Sequence, residues 1–206
     1  MDFQLSLDEG KYIVRLARDA IEKVLKSQMS LRPRNIPQKL QAHCGVFVTI
    51  NKLKGSTHEL RGCVGFPYPV KPLAEAIVDS AVSAALNDMR FHPVSVSEMN
   101  SILIEVSVLT PPEIIDVNDP KEIINKVKVG KDGLIISRGE KRGLLLPQVP
   151  VEYGWSSKEF IEQSCVKARL PRNAWRLPGT EVSKFQAIIF GEEKPRGMVK
   201  RMELYG

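Results

Sequence analysis

An α+β fold is what this sequence predicts, and three observations carry the prediction. Two long segments have helical hydrophobic spacing, several short β-branched runs are joined by hairpin-type turns, and the two kinds do not alternate strictly. The chain has 206 residues and is 43% hydrophobic, enough for a full core in one domain, 1–206.

The elements follow in order. Residues 7–27 carry Ile13, Leu16, Ala17, Ala20, Ile21, Val24 and Leu25 at helical spacing. Ser6 followed by Glu9 makes a capping box for this helix. The segment 30–41, holding Pro33 and Pro37, reads as a loop. Cys44 to Leu53 and Thr57 to Val64 read as strands joined by a turn at Lys54-Gly55-Ser56. Pro72 suits a helix start, and an alanine-rich helix follows to about Asp88. It ends at Arg90-Phe91-His92-Pro93, because a residue before proline avoids helical geometry. Ile102 to Leu109 is a strand, broken by Pro111-Pro112. Asp119-Pro120 caps a short helix through Val127. Strands at 134–137 and 144–146 flank a turn at 139–143. Ser156 with Glu159 caps a helix to about Ala168. The segment 169–179 is irregular and basic, and Val182 to Phe190 is a last strand. The charged tail after Gly191 is expected to be frayed or lightly tied.

Charge and cysteine usage narrow the function classes. The first residues carry acids where a secretory leader would be basic, and no apolar run is long enough to cross a membrane. Three cysteines is an odd count, so a disulfide framework is not expected and a reducing cytoplasm fits best. The formal charge is +6. No acid occurs from Lys23 to His58, and a second acid-free stretch holds Lys167, Arg169, Arg172 and Arg176 beside Trp175. Such stretches attract phosphates or nucleic acid, but no nucleic-acid motif accompanies them, so a solvated basic surface is the preferred reading.

The segment Leu60-Arg61-Gly62-Cys63-Val64-Gly65 carries the chemistry. It sets a thiol between two glycines, with an arginine two residues before it. Glycine permits close backbone approach, and a cation near a thiol favours the reactive thiolate. In a regular strand, Glu59, Arg61 and Cys63 share one face, and His58, Leu60, Gly62 and Val64 the other. That separates His58 from Cys63 and leaves His92 as the better candidate base. Cys44 shares a face with Cys63 in only one parity of register. The opposite reading is a cysteine packed as a small hydrophobe, and Cys165 is read that way. Asp88 and Arg90 stand where a helix meets a loop and either build a site or brace the helix end. His43, Cys44, His58, Cys63 and His92 are potential metal ligands, but none shows zinc-site spacing, so no metal is assigned. No Walker, Rossmann or G-x-S-x-G motif occurs.

Read together, CGVFVTI, LRGCVG, the helix ending Asp88-Met89-Arg90-Phe91, VSVLTPPE, GKDGLII and LLLPQVPVEYGW resemble the AMMECR-one family (AMME chromosomal region candidate gene one). LRGCVG is similar to the family hallmark LRGCIG. The resemblance implies an α+β fold of two unequal lobes, with mainly antiparallel sheet flanked by helices and an interlobe cleft. It implies cytoplasmic members and an association with Memo-like and radical SAM proteins. It implies no settled reaction and no known cofactor. Arg61, Gly62, Cys63 and Gly65 carry over as site candidates, joined by Asp88, Arg90, Pro147 and Gln148. The chain departs from the family at Phe66-Pro67-Tyr68-Pro69, which reshapes the expected cleft rim. It has no C-x3-C-x2-C cluster motif, so radical chemistry is not expected of it alone. Three functions stand. The first is an enzyme or enzyme subunit using Cys63 and Arg61, with His92, on a small anionic substrate. The second is a partner or scaffold protein. The third is an RNA or nucleotide binder.

Overall fold

The computed structural model describes residues 3–55 and 57–202. Its helices are α1 Leu7–Ser27, α2 Leu73–Leu86, α3 Ile123–Lys126, α4 Val149–Glu152 and α5 Ser157–Lys167. Its strands are β1 Val46–Lys54, β2 Thr57–Phe66, β3 Ile102–Leu109, β4 Glu113–Ile114, β5 Gly133–Arg138, β6 Lys141–Leu145, β7 Glu181–Phe185, β8 Ala187–Glu192 and β9 Val199–Met202. The fold is α+β, and the described residues form two compact units, one of 3–109 with 188–202 and one of 110–187.

The first unit is a five-stranded sheet in the order β2-β1-β3-β8-β9 with both long helices on one face. Alternation on β1 sends Val46, Val48 and Ile50 into the core, where they meet Ile13, Ala17 and Ile21 of α1 and Ile77, Ala81 and Ala84 of α2. The expected capping box at Ser6 and Glu9 starts α1, and Gln28 ends it in a left-handed conformation. Arg18 on α1 is buried and forks onto Glu192 of β8, Nε to Oε1 at 2.6 Å. It also donates to the carbonyls of Met99 and Ile102 at 3.1 and 2.8 Å. A buried arginine needs this complete set of acceptors.

The second unit is a four-stranded sheet in the order β4-β7-β5-β6. Here α5 contributes Phe160, Ile161 and Cys165 to a core shared with Leu134, Ile136, Val182 and Trp175. The expected capping box at Ser156 and Glu159 is present.

Three expectations are corrected. The last strand, read as Val182 to Phe190, is two strands in different sheets: β7 pairs with β5, and β8 joins the other sheet after Gln186. An apolar run gives no sign of such a change of sheet, because both halves are equally buried. The tail after Gly191 is not loose throughout, since β9 pairs antiparallel with β8 from Ile189↔Met202 to Glu192↔Val199. Cys44 precedes β1 rather than starting it, and is buried in the core. The expected turn at Lys54-Gly55-Ser56 includes Ser56, which lies outside the described residues.

Candidate functional site: the free edge at Cys63

β2 is an edge strand: among the described strands it pairs with β1 alone. Its pairing contains one irregularity: Ile50 pairs with Gly62 and Asn51 with Leu60, so Arg61 is a bulged residue with no partner on β1. One extra residue inverts the facing of everything on its N-terminal side. This corrects the expectation that Arg61 shares the face of Cys63. Leu60 and His58 take the parity of Cys63 instead. His58 still forms no dyad with Cys63, but because of distance. Their partners Leu53 and Thr49 are four positions apart on β1, roughly 13 Å at the usual strand rise.

Arg61 turns to the helix-bearing side. Its Nε and Nη2 donate to Glu98 Oε1 and Oε2 at 3.0 and 3.2 Å, and Nη2 also reaches the Pro93 carbonyl. Lys52 joins the same carboxylate at 3.6 Å. The Arg61 hydrogen bonds hold the Glu98 carboxyl well down, at about 2. Arg61 Nη1 is buried and has no hydrogen-bond partner among the described residues.

The cation tied to Cys63 is Arg90. Cys63 pairs with Thr49, and its own backbone groups point off the sheet edge. There Asp88 Oδ2 accepts the Cys63 N–H at 2.8 Å, and Arg90 Nη2 donates to the Cys63 carbonyl at 3.1 Å. Asp88 and Arg90 are themselves forked, Nε to Oδ1 at 2.9 Å and Nη2 to Oδ2 at 2.7 Å. The pair therefore supplies the acceptor and donor that a neighbouring strand would supply, which closes the edge at this residue. Asp88 is buried, and its hydrogen bonds, above all from Arg90, hold its carboxyl far below the usual carboxylate range. The Arg90 side chain is 56% exposed.

The glycines serve this packing. A Cβ on Gly62 would lie 2.2 Å from the Ala84 carbonyl oxygen of α2, and one on Gly65 would lie 2.1 Å from the Val46 carbonyl oxygen of β1. Backbone comes too close at both positions for any side chain.

The thiol itself lies on the face away from the helices, in a cross-strand row. Thr49 Oγ1 donates to Cys63 Sγ at 3.4 Å, and Thr49 in turn pairs with Glu105 of β3. Burial pushes the Glu105 carboxyl up. Thr49 and Glu105 escaped the sequence reading. A signal existed for Glu105, the single charge in the apolar strand ILIEVSVL. Cys44 is not near this row, because it is in the core on the other side of the sheet, where burial raises its thiol to about 11.

Beside the edge is a hollow of about 510 Å³ lined by Arg61, Met89, Arg90, Phe91 and His92. No acid lines it. His92 is exposed and makes no hydrogen bond to Cys63 among the described residues, so its expected role as the thiol's base gains no contact. Pro147 and Gln148 belong to the second unit. There the Gln148 carbonyl starts α4 by accepting the N–H groups of Val151 and Glu152 at 3.1 and 3.0 Å. Among the described residues no three His, Cys, Asp or Glu side chains group closely enough to hold a metal ion. No described helix is long and apolar enough to cross a membrane.

The second basic stretch offers no stacking platform. Trp175 is buried in the core of its unit, and the Arg176 guanidinium lies 4.6 Å from its ring centroid.

Comparison with known proteins agrees with this architecture. The AMMECR1 family model matches residues 14–190. Protein MK0488 of Methanopyrus kandleri is 48% identical over 205 residues, covering 99% of this chain and 98% of its own. Protein PH0010 of Pyrococcus horikoshii is 48% identical over 206 residues, covering 99% of this chain and all of its own. The crystal structure of that protein, titled as uncharacterized, superposes with a TM-score of 0.79 over 98% of this chain.

Proposed function

The chain belongs to the AMMECR1 family, and on that footing we propose that it is an enzyme or enzyme subunit in which Cys63 holds or attacks a small anionic substrate. The observation that carries the reading is the hollow at the β2 edge, where Arg61, Arg90 and His92 gather; Cys63 does not line it but is joined to it through its backbone carbonyl, which accepts from Arg90. Glu98 and Asp88 each neutralise one of these arginines, so the pull on an anion comes from what remains unpaired, above all Arg61 Nη1, which has no hydrogen-bond partner among the described residues. The thiol's role rests on its place on the exposed edge strand, where the hydrogen bond from Thr49 orients the sulfur. Glu105 stands in the same cross-strand row, its carboxyl raised by burial. Cytoplasmic residence, with a reduced thiol, goes with this reading.

The test compares alkylation of Cys63 by iodoacetate and by iodoacetamide. Cys44 and Cys165 are buried, so native protein reports Cys63 alone. A cationic site speeds the anionic reagent relative to the neutral one, beyond the ratio seen with free cysteine. Arg90→Gln removes that preference. A ratio equal to that of free cysteine, unchanged by Arg90→Gln, refutes the proposal.

A second reading, a partner protein for Memo-like or radical SAM proteins, is favoured by one observation. Met89 on the rim of the hollow is 101% exposed, and Val96 nearby in sequence is 51% exposed. Met89→Gln, which removes apolar surface without adding charge to the hollow, weakens co-purification with a Memo-like protein if that reading is right.

A further inference from the structure

The basic stretch that begins at Lys23 does not form a uniform surface. Several of its cations are engaged: Lys26 with Glu22, Lys39 with Glu9, Lys52 with Glu98 and Lys54 with Glu59. Lys23, Arg32 and Arg34 have no ion pair among the described residues, and neither does Arg15 of α1. These four line one hollow of about 880 Å³.

The hollow has a built shape. The chain reverses after α1 at Gln28 and turns again at Asn35, both at positive φ. Between them, residues 29–34 form a wall opposite α1. Tyr12 fastens the wall, its hydroxyl donating to the Arg34 carbonyl at 2.9 Å. Leu16, Leu31 and the Tyr12 ring give it apolar surface. Two acids also line it. Asp8 is taken by Lys11 at 2.9 Å. Asp19 also faces it; partial burial and Glu22 push its carboxyl up while Arg18 and Arg15 draw it down, and against these two acids stand five cations, Lys11, Arg15, Lys23, Arg32 and Arg34.

We propose that this hollow binds a nucleoside phosphate, with the phosphates on Arg15, Lys23, Arg32 and Arg34 and the base against Leu16, Leu31 and Tyr12. The volume lies in the range of small-molecule sites. The surplus of guanidinium groups fits phosphate oxygens, which arginine binds in forked pairs. The apolar wall fits a flat, weakly polar ring, which inorganic phosphate lacks. None of these residues lines the Cys63 hollow, so the two sites stand or fall separately.

The test is calorimetric titration with ATP at low salt, beside adenosine, inorganic tripolyphosphate and a single-stranded RNA decamer. The expected result is saturable one-to-one ATP binding, tighter than either adenosine or tripolyphosphate. Two variants, Arg15→Gln/Arg32→Gln and Lys23→Gln/Arg32→Gln, each weaken it at least about tenfold, the scale of losing charge-assisted bonds, with melting temperature unchanged. Cys63→Ser leaves ATP binding intact. Tripolyphosphate binding as tightly as ATP overturns the nucleoside assignment. RNA binding that exceeds ATP and grows with length overturns it in favour of an RNA surface. No ATP binding, or binding unaffected in both folded variants, overturns the site.

Discussion

Replacing Asp88 by asparagine tests the edge closure directly. The carboxylate accepts four hydrogen bonds: from the Cys63 N–H at 2.8 Å, the Arg90 N–H at 3.2 Å, and Arg90 Nε and Nη2 at 2.9 and 2.7 Å. Asparagine keeps one acceptor oxygen and turns an NH2 group towards the remaining donors. At least two bonds are lost, and one choice strands the Cys63 N–H. A hydrogen bond to a charged group contributes about 1.5–3 kcal/mol. Arg90 is more than half exposed, so water replaces part of what it loses. The net cost is about 2–3 kcal/mol. With a urea slope of about 2–3 kcal/mol per molar, the midpoint falls by about 1 M. Cys44 is the reporter, since it is buried in the core of the same unit and its labelling across a urea series follows the unfolding of that unit. Arg90→Gln alone has a similar effect, and the double variant costs less than the sum, with coupling of about 1–2 kcal/mol. A midpoint shift below about 0.3 M, or strict additivity, refutes the edge-closure account.

Three further outcomes follow from the same geometry. Asp88 and Glu98 both have carboxyls held below their unfolded values, so the stability they contribute is complete above about pH 5, begins to go near pH 4, and is lost as pH falls through about 2 for Glu98 and lower still for Asp88. Stability measured by urea from pH 6 to pH 3 therefore falls more steeply in the wild type than in Asp88→Asn/Glu98→Gln. Gly62→Ala forces a methyl against the Ala84 carbonyl and destabilises by about 3 kcal/mol or prevents folding, whereas Gly55→Ala, with open space around it, costs about 1 kcal/mol from its positive φ alone; thermal melts compare them. A thiol reagent counts one reactive cysteine in native protein and all three in urea; a second fast thiol in the native state contradicts the burial of Cys44 and Cys165.

Local patterns carried much of the fold. Both capping boxes, the helical stripe of α1 and the alternation of β1 are decided by residues a few positions apart, so the sequence alone determined them. It also marked LRGCVG as a place of close backbone approach, since only glycine suits contacts such as those at Gly62 and Gly65. Tertiary structure decided the rest, because those features depend on distant partners. The bulge at Arg61 arises from the register between two strands, and it reassigns Arg61 to Glu98 and leaves Arg90 as the cation at Cys63. The division of the last apolar run between two sheets depends on what each half packs against. The gathering of Arg15 with Arg32 and Arg34 depends on a chain reversal at Gln28 that no spacing rule expresses. Strand alternation, carried through a bulge that only distant pairing reveals, set Arg61 on the face of Cys63, where the structure instead ties Arg90 to the Cys63 backbone.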